Sequence, residues 1–433
     1  MSKLLLGKSW RSSVLIFGVG FLIAVGAAAA SESVAPKISF VRSEGVQEIP
    51  APAPEAPPAV EHIKTPESVR GIYMTQCAAG TPSFRKDFLK MLDETALNAI
   101  VIDIRDYSGK IAFPTENPVL KEMVSDECGA RDMKEWVQLL HDHDVYVIGR
   151  ITVFQNPAYT KLYPEQAVQK KGGGIWKDKN GLAFVDVGAK EYWSTVVELS
   201  KESYALGFDE LNFDYIRFPS DGDMKAAVYS FGAGKSKAEA LEEFFKYLHD
   251  NLKSENPRGD ASWVPVMSAD LFGYVTVHDD DLGIGQILER ALPYFDFIDP
   301  MVYPSHYNSG FAGLKNVNSD TYKVVAVSMN TAVARTIATT TRNKFLGAVP
   351  IASASTSSPQ ATSPQLYEKK SYPASVMRPW LQSFDYPVEY TPAMVAAQIK
   401  ANEDAGLTSY LFWDAANKYR SLRQALAPPA VDR

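Results

Sequence analysis

Hydrophobic and polar positions alternate between two periods along most of the chain. From residue 69 onward, short apolar runs rich in Val, Ile and Phe are followed by stretches with helical spacing, and the pair recurs almost to the end. The spacing predicts strands at 70–75, 99–105, 145–154, 208–216, 264–272, 295–303, 376–384 and 409–413. Between them it predicts helices at 83–95, 131–143, 190–205, 236–253, 284–292, 321–342 and 391–405. Ser83, Ser236 and Thr391 are suited to cap helix N-termini, and Gly207 and Gly406 stand where glycines end helices. Strands and helices interleaved in this way make an α/β fold, and eight strands fit a (β/α)8 TIM barrel over residues 69–427. An open doubly wound sheet is the alternative. No G-x-G-x-x-G follows the first strand and no G-x-x-x-x-G-K-[ST] occurs, so nothing supports a nucleotide-binding sheet.

The first 68 residues break the pattern. Lys3, Lys8 and Arg11 precede an uncharged apolar run from Val14 to Ala30, which ends in Ala28, Ala29 and Ala30 ahead of Ser31 and Glu32. This is the pattern of an export signal, and two readings stay open for residues 1–30: a cleaved signal peptide or an N-terminal membrane anchor with its basic end in the cytoplasm. Residues 31–68 carry Pro36, Pro50, Pro52, Pro54, Pro57, Pro58 and Pro66 among Ala, Glu and Val, the composition of an extended linker without a core. Residues 352–364 (ASASTSSPQATSP) read as a flexible Ser/Thr/Pro-rich surface loop. The expected location is periplasmic, extracellular or on the outer face of the cytoplasmic membrane.

Charge and cysteines narrow the partners. The formal net charge is −7, and it is more acidic still without residues 1–30, which hold three basic groups and no acid. Duplex nucleic acid, which needs a basic field, is not an expected partner. Only Cys77 and Cys128 are present. Both follow predicted strands, so they can close one disulfide in an oxidising compartment if those strands are neighbours.

Barrel strands are buried on both sides, so charged residues near their C-terminal ends must enter the mouth or be paired. The candidate strands carry many. IVIDIRD brings Asp103 and Arg105, VIGRITVFQ brings Arg150, and FDELNFDYIRFP brings Asn212, Asp214 and Arg217. Period two places Glu210, Asn212 and Asp214 on one face. VMSADLFGY brings Asp270, FIDPMVYPSHY brings Asp299, Tyr303 and His306, MRPWLQSF brings Arg378, Trp380 and Gln382, and LFWDAAN brings Trp413 and Asp414. Acids, arginines and aromatics converging on one mouth suit a sugar: carboxylates act on the glycosidic bond, Arg and Asn hold hydroxyls, and aromatic rings stack on the apolar ring face. Asp214 is the first candidate catalytic carboxylate. Asp270 is the expected partner, with Asp103 second, and the separation that would distinguish retention from inversion is not readable from sequence. The expected sugar-binding set is Arg105, Arg150, Asn212, Arg217, Tyr303, His306, Trp380, Gln382, Trp413 and Asp414. No cofactor or metal is expected. His141 and His143 lie at a helix end away from the mouth, and Asp279–Asp281 lack the spacing of a calcium loop.

At these strands the chain resembles the glycoside hydrolase barrel family catalogued as DUF4015, itself distantly similar to α-amylase-type glycosidase barrels. The resemblance rests on VRGIYMTQCAAG, LNAIVIDIRDYSGKI, VYVIGRITVFQNP, GFDELNFDYIRFPSDG, DFIDPMVYPSHY, RPWLQSF and LFWDAANKY, of which the strand-four stretch is the most specific. It implies a barrel acting on a polysaccharide or oligosaccharide, with Asp214 as the strand-four carboxylate and Asp103, Arg150, Arg217, Tyr303, Trp380 and Trp413 lining the cleft. Ser383 and the pair Gln155–Asn156 depart from the family's pattern. The expected function is therefore an exported, two-carboxylate glycoside hydrolase of envelope or extracellular polysaccharide. The alternative is a catalytically inactive carbohydrate-binding barrel. A metal-dependent deacetylase is disfavoured, because no His and Asp ligand set lies on the strand ends.

Overall fold

Residues 60–232, 234–253, 264–351 and 364–427 are described by this computed structural model. The expected export segment, the Pro-rich stretch up to residue 59 and residues 352–363 of the Ser/Thr-rich loop lie outside them. The eight apolar runs form β1 (Arg70–Met74), β2 (Ala99–Arg105), β3 (Tyr146–Thr152), β4 (Glu210–Asp214), β5 (Val266–Phe272), β6 (Phe297–Val302), β7 (Trp380–Gln382) and β8 (Tyr410–Trp413). All pair in parallel with their sequence neighbours, and β8 pairs with β1, which closes a (β/α)8 barrel. Around it pack α1 (Pro82–Glu94), α2 (Met133–Asp142), α3 (Lys190–Leu206), α4 (Lys237–Lys253), α5 (Thr321–Ile337), α6 (Pro392–Asp404) and α7 (Arg420–Leu426).

Local chemistry explains the ends of these elements. Ser236 Oγ accepts from the Glu239 N–H while the Glu239 carboxylate accepts from Ser236, a reciprocal cap at the start of α4. Thr391 caps α6, and Gly207 ends α3 in a left-handed conformation (φ 116°). Three expectations change. Thr81 rather than Ser83 stands at the cap of α1, because Pro82 already fits the first turn. The helix expected at 284–292 is one turn, Leu288–Ala291, since Gly283 and Gly285 both take positive φ just before it. The helix expected to reach residue 342 stops at Ile337. The β-branched Thr339–Thr341 run then starts a three-stranded antiparallel ribbon (340–341, 349–350 and 367–368).

Alternate residues divide each strand between two cores. Ile72, Ile100, Ile102, Val147, Ile151, Leu211 and Phe213 face the helices in the larger core, while Tyr73, Ala99, Val101, Tyr146, Ile148, Tyr303, Trp380 and Leu411 fill the barrel itself. The interior is also strongly polar. Near the strands' N-terminal ends, Arg378 makes a two-point contact with Asp299 (3.0 and 2.7 Å) and binds Glu210 through Nη1 and Nη2. Tyr146 and Ser268 complete the Glu210 carboxylate. Charges buried this deeply persist only because each is paired and hydrogen-bonded.

The barrel also extends further toward the N-terminus than the sequence boundary at 69. The Ile63 N–H donates to Asp209 Oδ1 (2.7 Å), His62 stacks on Tyr204 with ring centroids 3.9 Å apart, and Thr65 Oγ1 meets Tyr146 Oη (3.1 Å). These residues cross the end of the barrel opposite the strands' C-terminal ends. Among the described residues no helix is long and apolar enough to cross a membrane.

Candidate active site

The site grows from Arg150, whose side chain points inward from β3 and is almost fully buried. Its Nη1 donates to Asp103 Oδ1 on β2 (2.6 Å), its Nη2 to Asp214 Oδ2 on β4, and its Nε lies 3.7 Å from Asp270 Oδ2 on β5. The guanidinium also lies over the rings of Trp413 (4.9 Å to the centroid) and Tyr73 (5.6 Å), which stack on each other at 3.8 Å. Asp214 Oδ1 accepts from the N–H of Tyr215 (2.5 Å). Tyr215 itself sits at φ 50°, an uncommon conformation for a bulky residue that marks the turn out of β4 as constrained.

Asp270 is held by neutral donors, Trp380 Nε1 (2.7 Å) and Asn212 Nδ2 (2.9 Å), both to Oδ1. Burial, then the neighbouring charges of Asp214 and Asp299, push its pKa well above the ordinary carboxylate range, so it retains its proton where exposed aspartates have lost theirs. Asp103 is pushed up to about 6, chiefly by burial, with Arg150 and Tyr73 opposing. Burial works against the charge of Arg150, but Asp214, Asp103 and the other groups outweigh it and raise its pKa. One firmly cationic side chain thus stands among three carboxyl groups, of which burial pushes Asp103 and Asp270 upward.

Above Arg150 opens a cavity of about 710 Å³ bordered by Arg150, Asp214, Asp270 and Trp413 and walled by Arg217, Phe272, Tyr274, Tyr303, His306 and Tyr307. It lies at the C-terminal ends of the strands, where the loops of a (β/α)8 barrel build its site. Of the expected residues, the structure therefore brings Asp214, Asp270, Arg150, Arg217, Tyr303, His306 and Trp413 to one wall or floor. Asp103 lies behind the guanidinium, bound also by the Tyr73 hydroxyl, and positions Arg150.

Five expected sugar contacts are corrected. The β2–β3 register shifts between Asp103 and Arg105, so Arg105 follows Ile104 onto the outer face, where its Nε donates to Thr152 O and its guanidinium lies over Tyr192. Asn212 lies beneath the cavity and gives its Nδ2 to Ser268, Asp270 and Asp299. Trp380 is buried edge-on to Trp413 and holds Asp270. Gln382 accepts from Ser305 and donates to Phe384 O and Tyr386 O, bracing two loops. Asp414 accepts from the N–H groups of Ala416, Lys418 and Tyr419 and shapes the turn before α7. Trp413 reaches the cavity, but Tyr73 and Arg150 cover much of its ring.

The sequence reading missed Tyr73 and the wall residues Phe272, Tyr274 and Tyr307. For the wall a signal was present, in the aromatic residues at and just past the end of β5 (Phe272, Tyr274) and in the loop after β6 (Tyr307); Tyr73, inside β1, carried none of this kind. Tyr274 and Tyr307 pack together with centroids 4.7 Å apart, and Tyr274 Oη accepts from the Asn308 N–H (2.6 Å), which fixes both loops. Among the described residues no group of three or more His, Cys, Asp or Glu side chains is arranged to hold a metal ion. Cys77 and Cys128 are disulfide-bonded, the loops after β1 and β2 lying side by side.

Glycosidases are among the enzymes built on closed (β/α)8 barrels with acids and aromatic rings at the mouth. The family model described as "Putative glycosyl hydrolase domain" (DUF4015) matches residues 71–346 and 350–419, and the chain belongs to that family. Among solved structures, the glycoside hydrolase domain of PgaB (BpsB) from Bordetella bronchiseptica aligns over 83% of this chain and 99% of that one, at 13% identity and a TM-score of 0.54, and shares the fold. A hypothetical protein from Ruminiclostridium thermocellum is 29% identical over 49% of this chain and 98% of its own, with a TM-score of 0.41. An α-galactosidase from Thermus thermophilus aligns over 86% of this chain and 63% of its own at 10% identity, with a TM-score of 0.45. No curated protein matches the chain.

Proposed function

We propose that this protein is an exported glycoside hydrolase that cleaves glycosidic bonds in an envelope or extracellular polysaccharide. The observation that carries the reading is the meeting of Asp214 and Asp270, from adjacent strands, at one guanidinium on the floor of an open cleft. Asp270, kept protonated by burial and neighbouring negative charge, gives its proton to the glycosidic oxygen. Asp214 faces the positive charge that develops on the sugar ring and acts as nucleophile or as base for a water. Arg150 orients Asp214 and, with Asp103 and Tyr73 behind it, fixes the distance between the two acids. Tyr274, Tyr303 and Tyr307 offer ring surface to the apolar faces of a sugar. Export is supported by the basic-then-apolar pattern of residues 1–30 and by the disulfide.

The test is release of new reducing ends from a panel of envelope and extracellular polysaccharides by the purified full chain, with Asp214→Asn as control. Release by the parent that falls at least about 10³-fold in the variant is expected for loss of a group acting in the transition state. If neither protein releases sugar while both bind the same glycan, the binding-barrel reading replaces this one.

A further inference from the structure

One cation in the cleft has no acid of its own. Arg217 follows β4 by three residues and borders the cavity, with 7% of its surface exposed. Its guanidinium lies against the ring faces of Tyr215 and Phe272, each 4.7 Å to the centroid, with Phe184 at 5.8 Å. Nη1 donates to Phe218 O (3.0 Å), which uses one of its five N–H donors. Asp214, Asp221 and Asp178 act on it only from a distance, and among the described residues it forms no ion pair. Nor are its remaining donors sealed away, whereas Nη1 and Nη2 of Arg105 are buried without a partner. The inner arginines differ. Arg150 meets three aspartates and Arg378 binds Asp299 and Glu210. Burial lowers the pKa of Arg217, the sign of a charge whose lost hydration no partner has replaced.

We propose that the polysaccharide bound here carries carboxylates and that Arg217 receives one of them, through a two-point contact, on a sugar seated beside Asp214 and Asp270. The inference rests on the hydrolase reading of this cleft and names the chemical class of its substrate. A planar carboxylate matches the guanidinium fork, and the aromatic rings hold that fork in a fixed plane. A doubly charged phosphate would meet stronger repulsion from Asp214. The carboxylate can belong to a uronic acid ring or to an acidic substituent such as a pyruvyl ketal.

Binding of the full chain is measured by calorimetry at low salt against oligogalacturonate and oligomannuronate, each beside its carboxyl-reduced form. A second arm uses pyruvylated galactan oligosaccharides beside the depyruvylated form, and reducing-end release is followed in parallel. In the arm that holds the true source, the acidic form binds roughly 10- to 100-fold more tightly than its neutral counterpart, the value of one charge-assisted contact. Arg217→Gln abolishes that preference and Arg217→Lys keeps part of it. Equal binding of acidic and neutral forms by the parent in both arms overturns the proposal, and that comparison needs no variant to fold. Cleavage of neutral glycans with no acid preference leaves the hydrolase reading standing and sinks this one. An acid preference without cleavage does the reverse.

Discussion

At the scale of single residues, the proposed hydrolysis turns on the proton of Asp270. Burial and the charges of Asp214 and Asp299 hold that proton in place, while Trp380 and Asn212 donate only to Oδ1 and leave Oδ2 toward Arg150. Asp270→Asn preserves the size and neutrality of the group but removes the proton donor proposed above. We expect kcat on natural glycan to fall about 10²- to 10⁴-fold, with much less loss on a p-nitrophenyl glycoside whose leaving group needs no proton. The alkaline limb of the parent's pH–rate profile, where Asp270 ionises, should vanish in the variant. Equal losses on both substrates would make Asp270 a structural residue. The strand-end pattern in the sequence was enough to place Asp214, Asp270 and Arg150 together at the mouth, since period two and barrel burial leave a late strand carboxylate few places to go. It could not place Arg105, whose direction depends on a one-residue slip at Ile104. Trp380, Gln382 and Asp414 were equally out of reach, because whether a polar group on a strand end meets sugar or protein depends on partners far away in sequence.

At the scale of elements, the disulfide joins the first two βα loops across 51 residues of chain. That long closed loop includes α1 and β2, so the bond limits how far the first quarter of the barrel can open in the unfolded chain. Replacing both cysteines by serine should lower unfolding stability by about 2–4 kcal/mol, read as a shift in urea midpoint at constant slope. An unchanged midpoint would mean that packing alone holds these loops. The pairing was legible because a barrel makes consecutive strands neighbours. The antiparallel ribbon at 340–368 was not, because its two-residue strands are too short to carry a period, and helical spacing in α5 ran on into them.

For the whole molecule, the polar interior ties stability to pH in an unusual direction. Asp103 and Asp299 are both pushed up to about 6, mainly by burial, from an ordinary value of 3.8. A folded-state pKa above the unfolded one contributes stability that is complete below about pH 4 and is lost as pH rises through 6. The opposite case is Asp209, whose pKa falls despite its burial because His141 and His62 bind it, so its contribution is lost only as pH drops below its ordinary value. Between pH 4.5 and 6.5 the raised acids therefore dominate. Stability in urea should decline across that window by about 2 kcal/mol for each of the two. Asp103→Asn should flatten the decline, and a curve that rises steadily from pH 4.5 to 6.5 in the parent would contradict the assignment. The barrel class and strand order were readable because eight well-spaced repeats admit few closed arrangements. The charged layer of Glu210, Asp299 and Arg378 was visible only as isolated polar residues.

The strap formed by residues 60–68 gives the molecule a polarity. It meets the barrel through Asp209 and Tyr146, at the pole where strands begin, while Asp214 and Asp270 open at the pole where they end. A support coupled directly to the strap leaves the mouth unobstructed, whereas one coupled through the loops after β5 and β6 would stand over the cavity.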